Sequence, residues 1–174
     1  AKEIVKEAGD YILAHMQEEL HIERKSSPTD LVTRLDKEVQ NFLIDRIRSH
    51  YPDDQFCAEE GCLRASVGHG SVWVIDPIDG TNNFVAQGDD FAIMVAYFEN
   101  GVGQFGIIYD VMKGHCYHGG GTFQACLNEE PLPSFKDKPL RDFLIASNAG
   151  MLETNAWGVA ELANASLGVR IYGS

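Results

Sequence analysis

The sequence predicts an α+β fold, with helices packed on a largely antiparallel sheet followed by the opening of a second α/β unit, and three observations predict it. Apolar residues recur at helical spacing through the first fifty positions. Aromatic and β-branched residues crowd both sides of Asn100-Gly101, a dipeptide suited to a tight hairpin turn. The run Val72-Trp73-Val74-Ile75 meets Asp76-Pro77-Ile78-Asp79-Gly80-Thr81, which reads as a buried strand halted at a turn.

Taken in order, Ile4, Ala8, Ile12, Met16 and Leu20 give a first helix its apolar stripe, ending before the polar Lys25-Ser26-Ser27-Pro28 loop. Leu35, Val39, Phe42, Leu43 and Ile47 give a second, stopped by Pro52, and both stripes face a core by default. Phe56-Cys57-Ala58 is a short apolar segment running into Glu59-Glu60-Gly61. Pro77 and Gly80 are expected to forbid continuation of the strand that starts at Val72, placing Asp76 and Asp79 at its C-terminal end, where open α/β sheets put their chemistry. Pro77, with no N–H and a fixed φ, suits the first turn of a following helix whose N–H groups at Gly80 and Thr81 would hold an anion. Residues 91–97 and 102–109 form the hairpin around Asn100-Gly101, and antiparallel sheet follows. Gly119-Gly120-Gly121 reads as a turn between strands, not a phosphate loop, because no Lys-Ser/Thr follows it. Pro131, Pro133 and Pro139, with Lys136, Asp137 and Lys138, form a polar hinge that separates a domain over 1–138 from the start of another over 139–174. There a strand over 143–146, a helix over about 152–165 and a strand from Val169 are expected.

Composition narrows the chemistry. The 14 Lys and Arg against 26 Asp and Glu give a net charge of −12, which disfavours DNA or RNA, whose binding depends on releasing counterions with basic side chains. A small anionic ligand remains compatible, since a bound cation inverts the local field. No run is long enough to span a membrane and no signal peptide opens at Ala1, so a cytoplasmic protein is expected, its N-terminus trimmed of the initiator Met. Cys57, Cys62, Cys116 and Cys126 lack the spacing of a zinc site and are expected to be reduced packing residues. His115-Cys116-Tyr117-His118 offers zinc-ligand types, but adjacent strand residues point to opposite faces.

The informative residues are acids. Asp76 and Asp79, three apart at a Gly-Thr turn, read as a metal and phosphate site, although Asp, Pro and Gly are also ordinary turn residues. Phosphatases of the haloacid dehalogenase type place Asp-x-Asp-Gly-Thr after a strand, the first Asp being a nucleophile; here one more residue separates the acids, which argues against that reading. Glu59-Glu60 alone would pass for a solvated acidic loop. Joined to Asp76 and Asp79, it completes enough hard oxygen ligands for two divalent ions, provided the fold lays the two strand ends side by side.

Over nearly its whole length the sequence resembles the inositol monophosphatase family of magnesium-dependent, lithium-sensitive phosphomonoesterases. The resemblance is carried by Lys25-Ser26-Ser27-Pro28-Thr29-Asp30-Leu31-Val32-Thr33, Glu59-Glu60, and Trp73 through Asp76-Pro77-Ile78-Asp79-Gly80-Thr81-Asn82-Asn83-Phe84. Gly106-Ile107-Ile108-Tyr109-Asp110 and Val169-Arg170-Ile171-Tyr172-Gly173-Ser174 extend it. It implies a layered α-β sandwich of the sugar-phosphatase type, two or three Mg2+ ions, and a homodimer. It implies that Glu59, Asp76 and the Ile78 carbonyl hold the first ion, that Asp76 bridges to a second held by Asp79, and that Glu60 reaches a weaker third through water. Gly80 and Thr81 N–H groups would meet the phosphate, the Thr81 hydroxyl and Asp36 would orient the attacking water, and Lys25 would stand just outside the ions. Two ions meet the needs of phosphate ester hydrolysis without a serine or cysteine nucleophile, which leaves a covalent role for Thr81 the less favoured alternative.

The family completes its second metal site with an aspartate in a downstream Trp-Asp pair, whereas Trp73 and Trp157 precede Val74 and Gly158. A chain truncated at its C-terminus is therefore expected. The expected activity is hydrolysis of a small sugar or polyol phosphate, inositol 1-phosphate first, with fructose 1,6-bisphosphate, NADP and 3'-phosphoadenosine 5'-phosphate as competitors. A noncatalytic regulatory protein on the same fold is the reading from another class.

Overall fold

The computed structural model describes residues 1–25, 31–61, 63–134 and 136–172. Ser26 to Asp30 of the loop motif, Cys62, Gly173 and Ser174 lie outside the described residues. The first element is helix α1, Lys2–His15, with Val5, Ala8, Gly9 and Ile12 buried. It stops short of the apolar stripe, which runs on to Leu20. Past Met16 the chain is drawn toward the next helix: the Arg34 N–H donates to Leu20 O at 2.8 Å and the Arg34 guanidinium to Glu18 at 2.9 Å. Leu20 still packs against the core, but from a loop.

A two-stranded antiparallel ladder, β1 (Glu23–Arg24) with β2 (Leu31–Val32), leads into α2, Arg34–Arg48. Thr33 caps that helix in a reciprocal box with Asp36, each side chain meeting the other residue's backbone N–H, which satisfies two donors that a helix start otherwise leaves open. The helix buries Leu35, Val39, Leu43 and Ile47, and each such side chain stabilises by about 1.5–3 kcal/mol. A single hydrogen bond contributes about 1 kcal/mol net. Apolar packing therefore sets where α2 lies, and its buried polar residues, Asp36 and Gln40, are carried to position by it.

The main sheet has seven strands in sequence order: β3 (Gln55–Ala58), β4 (Ser71–Asp79), β5 (Ala92–Glu99), β6 (Val102–Asp110), β7 (His115–Gly120), β8 (Phe123–Leu127) and β9 (Glu130–Pro131). Only β3 and β4 run parallel. One face packs Trp73, Ile75, Ile93, Val95 and Ile107 into the same core as the apolar faces of α1 and α2. Trp73 sits 4.9 Å from the Tyr97 ring and donates its indole N–H to Asp54 at 2.8 Å. The β5–β6 hairpin turns at Asn100 and Gly101, with φ of 49° and 83°, both in the left-handed region that such a turn demands.

Three expectations about the first unit's strands and turns need correction. Strand β4 does not halt at Pro77 but continues to Asp79. Beyond Ile75, the last residue paired with β3, it has β5 alone as neighbour, and the register shifts between Asp76 and Asp79. An irregular edge is where a strand tolerates a proline that cannot donate. Helix α3 accordingly starts at Thr81 and runs to Gln87, with Gly80, not Pro77, at its entry. Gly119 and Gly120 belong to β7, so the turn falls at Gly121. The reason is close approach, since a Cβ on Gly120 would lie 2.2 Å from Gln104 O and 2.4 Å from the Phe123 ring.

The chain divides into two compact units, Ala1–Leu132 and Pro133–Ser174, not at 138/139. Leu132 stays with the first because its N–H donates to Ala125 O at 2.8 Å and its carbonyl accepts from the Gln124 amide at 2.7 Å. The second unit pairs β10 (Leu144–Ser147) parallel to β11 (Gly168–Ile171). Its single expected helix is two, α4 (Ala149–Glu153) and α5 (Val159–Ala165), split where Asn155 and Trp157 take positive φ. The observed α+β architecture, a mixed sheet covered by helices, agrees with the sequence expectation.

Candidate metal centre

The site is assembled where β3 and β4 run side by side. Ala58 pairs with Ile75, and the Glu59 N–H donates to Ile75 O at 3.1 Å, which extends the parallel pairing by one residue and sets Glu59 next to Asp76. The sequence condition on the two strand ends is met. Asp76 lies on the sheet face away from the helical core, at the rim of a trough of about 610 Å³ that Glu59, Val74, Met94, Ala96 and Ile108 help to line. The irregular stretch through Pro77 then returns Asp79 beside them. The Ile78 and Gly80 N–H groups donate to the Asp76 and Asp79 carboxylates respectively.

Helix α2 brings Asp36 in from the other side. Its Oδ2 accepts from the Thr33 N–H at 2.8 Å and the Thr33 hydroxyl at 2.5 Å, while Oδ1 lies 3.2 Å from the Thr81 hydroxyl. Thr81 has Ile78 O within 2.9 Å as a second acceptor. Asp36 thus caps α2 and faces the Gly-Thr turn at once. The Lys25 ammonium bonds the Glu59 carboxylate at 2.8 Å and also the Glu60 carboxylate, so every residue expected from the sequence gathers in this one region.

The electrostatics are those of a site short of positive charge. Burial, the adjoining Glu59 carboxylate and the charge of Asp79 push Asp76 up to about 8. Burial and Glu59 push Asp79 upward as well, against the Gly80 N–H. Burial raises Asp36, opposed by its hydrogen bonds from Thr33 and Thr81. Burial pulls Lys25 down, but its bonds to Glu59 and Glu60 outweigh that and hold it above the usual lysine range.

Among the described residues, Asp76 Oδ1 is the one buried side-chain polar atom without a hydrogen-bond partner. A carboxylate oxygen withdrawn from water, beside two further acids, has the character of a ligand for a hard cation. The donor set fits Mg2+: all oxygen, anionic, and including the Ile78 carbonyl. As they stand, no three described His, Cys, Asp or Glu side chains have drawn into chelating geometry.

A pH dependence follows. Between the ordinary carboxyl value of 3.8 and about 8, the folded protein keeps a proton on Asp76 that the unfolded chain has released. Metal-free stability is therefore greatest at the acid end of that window and falls as pH rises through it. Melting curves of the chelated intact protein from pH 5 to pH 9 should show a declining Tm, and added Mg2+ should raise Tm most at the alkaline end. A chelated Tm that climbs over this range would rule out the charge deficit.

Two contributors escaped the sequence reading. The signal that could have found Thr33 is its place as the first residue of a Thr-x-x-Asp cap. The only signal at Gln40 is a polar residue, four after Asp36, on what proves to be the buried face of α2.

Comparison with known proteins identifies the family. The sequence profile of the inositol monophosphatase family matches residues 1–173. The chain is 42% identical to inositol-1-monophosphatase of Bacillus subtilis over 181 residues, covering 100% of this chain and 68% of that protein. It is 36% identical to the fructose-1,6-bisphosphatase/inositol-1-monophosphatase of Thermotoga maritima over 61% of this chain and 40% of that one. An IMPase/NADP phosphatase solved with Mg2+ and phosphate superposes with a TM-score of 0.88 at 29% identity, over 99% of this chain and 65% of its own. Matched over its whole length or nearly so, the chain spans about two thirds of its relatives' lengths. With the profile matched almost end to end and the acids gathered as described, the chain belongs to the inositol monophosphatase family.

Proposed function

We propose that the intact protein is a Mg2+-dependent phosphoric monoester hydrolase acting on inositol monophosphate. The unpartnered, buried Asp76 Oδ1 among Glu59 and Asp79 carries this reading, because it gives a folded protein a reason to keep repelling acids together. Glu59, Asp76 and the Ile78 carbonyl would hold a first ion, Asp76 and Asp79 a second, and Glu60 would serve a third. Bound Mg2+ supplies neutralisation of the phosphoryl charge and activation of a water. The protein's own groups do the rest. The Thr81 hydroxyl, turned toward Asp36 Oδ1, accepts a hydrogen bond from the attacking water and donates its own proton to the carboxylate. The Thr81 N–H would meet the phosphate, and the Gly80 N–H, which donates to Asp79 in the metal-free site, would join it once a cation takes over that carboxylate. Lys25 holds Glu59 and Glu60 in place and adds positive charge at the site.

The substrate rests on the name of the Bacillus relative. The Thermotoga relative's name and the NADP phosphatase structure make fructose 1,6-bisphosphate and NADP the second reading. Phosphate release from inositol 1-phosphate, fructose 1,6-bisphosphate and NADP, with and without Mg2+, tests both. Expected is Mg2+-dependent release with the highest kcat/KM for inositol 1-phosphate. A higher value for either competitor reassigns the substrate, and no release from any of them, nor from 3'-phosphoadenosine 5'-phosphate, returns the fold to a noncatalytic role.

A further inference from the structure

Gln40 is 5% exposed, inside a helix face that is otherwise apolar apart from Asp36. Its carboxamide makes two bonds, both to one residue's backbone: the Glu60 N–H donates to Oε1 at 2.8 Å, and Nε2 donates to Glu60 O at 2.8 Å. This is the pairing that a neighbouring strand would give. It occurs just past the end of β3, where the chain leaves the sheet. Among the described residues the Glu59-Glu60 backbone itself has one sheet bond, Glu59 N–H to Ile75 O, and the Gln40 clamp; the chain is tied back to β3 only further on, by the Ala58 N–H to Leu63 O at 3.0 Å and the Ala65 N–H to Phe56 O at 3.1 Å.

We propose that Gln40 is a positioning residue for the metal centre, fixing the Glu59-Glu60 backbone at the depth where both carboxylates face Asp76 and Asp79. Resting as it does on the reading of these acids as metal ligands, the proposal adds a cause for their placement. Gln40 lies one helical turn from Asp36 on the same face of α2. The helix therefore holds the Thr81 side of the site through Asp36 and the Glu59 side through Gln40. Because α2 is seated by its buried Leu35, Val39, Leu43 and Ile47, the two halves share one rigid reference. A hydrophobic residue of similar length at 40 would fill the space yet leave the Glu60 N–H and C=O unpaired, freeing the segment to shift.

The test compares Gln40→Met with Ile47→Val, a core change on the same helix away from the site, in the intact protein. Calorimetric titration with Mg2+ alone should show affinity weaker by about tenfold or more in Gln40→Met, the size of effect typical for groups that orient metal ligands. Ile47→Val, which loosens only packing, should bind as wild type. Hydrogen exchange at the Glu60 amide should accelerate in Gln40→Met and not in Ile47→Val. If Gln40→Met does not fold, Gln40→Asn, with an amide one methylene short of Glu60, carries the same comparison. Unchanged Mg2+ affinity and Glu60 exchange in the Gln40 variant, while Asp76→Asn loses the metal, would overturn the clamp and leave the site standing. Wild-type Mg2+ affinity in Asp76→Asn would overturn both.

Discussion

Asp76→Asn should abolish Mg2+-dependent turnover, by at least about 10³-fold, without lowering the stability of the metal-free protein. The change is nearly isosteric but removes the charge proposed to face both ions. Each ion contributes several kcal/mol to the transition state, and about 1.4 kcal/mol is a factor of ten in rate. The stability half of the expectation comes from the site's own electrostatics. With no metal bound, burial, Glu59 and Asp79 all work against ionised Asp76, so a neutral amide relieves repulsion. Chelated Asp76→Asn should melt at or above the wild-type Tm at pH 8, whereas at saturating Mg2+ the order should reverse. Steady-state rates and melting curves with and without metal check both halves. Wild-type activity at millimolar Mg2+ would remove Asp76 from the site, and a large loss of metal-free stability would show that its role is structural.

The acids were legible in the sequence because they carry local signals. Asp76 and Asp79 stand at the end of an apolar run, and Glu59 and Glu60 close another. The sequence could state only conditionally that the two runs lie side by side. Parallel pairing of β3 with β4 is a long-range contact with no turn motif to announce it. The hairpin at Asn100-Gly101 was readable for the opposite reason, since its geometry is written in two adjacent residues. Pro77 misled because a proline's cost to a strand depends on whether its missing N–H had a partner, and that depends on the neighbouring strand. The glycine run misled similarly: Gly120 is set by Gln104 and Phe123, neither of which advertises a close crossing. Gln40 was hidden because a polar residue on an apolar face is informative only once its two backbone partners are known.

Asp36 joins the two scales. Its local signal, the cap formed with Thr33, fixes the start of α2, and its remaining oxygen reaches a residue forty-five positions away at Thr81. A carboxylate whose Oδ2 is already committed to two donors is held rigidly, and Oδ1 is left to one hydroxyl. That arrangement suits orientation of a proton path better than metal ligation, and it separates the expected consequences of altering Thr81 from those of altering Asp76.

Thr81→Ala should lower kcat by about 10²–10⁴ while leaving Mg2+ affinity within a few-fold of wild type. The hydroxyl carries one proton with two acceptors in reach, Ile78 O at 2.9 Å and Asp36 Oδ1 at 3.2 Å. Bonded to the carbonyl it is an ordinary first-turn threonine. Turned to Asp36, it offers its lone pairs to a water and passes charge toward a buried carboxylate. Alanine removes that relay but no proposed metal ligand, so binding and rate should separate. The folding cost should be modest, about 1 kcal/mol for one lost hydrogen bond, because Asp36 keeps both bonds from Thr33. Thr81→Ser, which restores the hydroxyl, should recover most of the rate. Steady-state kinetics beside Mg2+ titration make the comparison, and rapid-quench experiments add a second arm. A burst of product with phosphate trapped on Thr81 would show that this oxygen attacks phosphorus itself, and equal losses in metal affinity and rate would show that the side chain serves the ions after all.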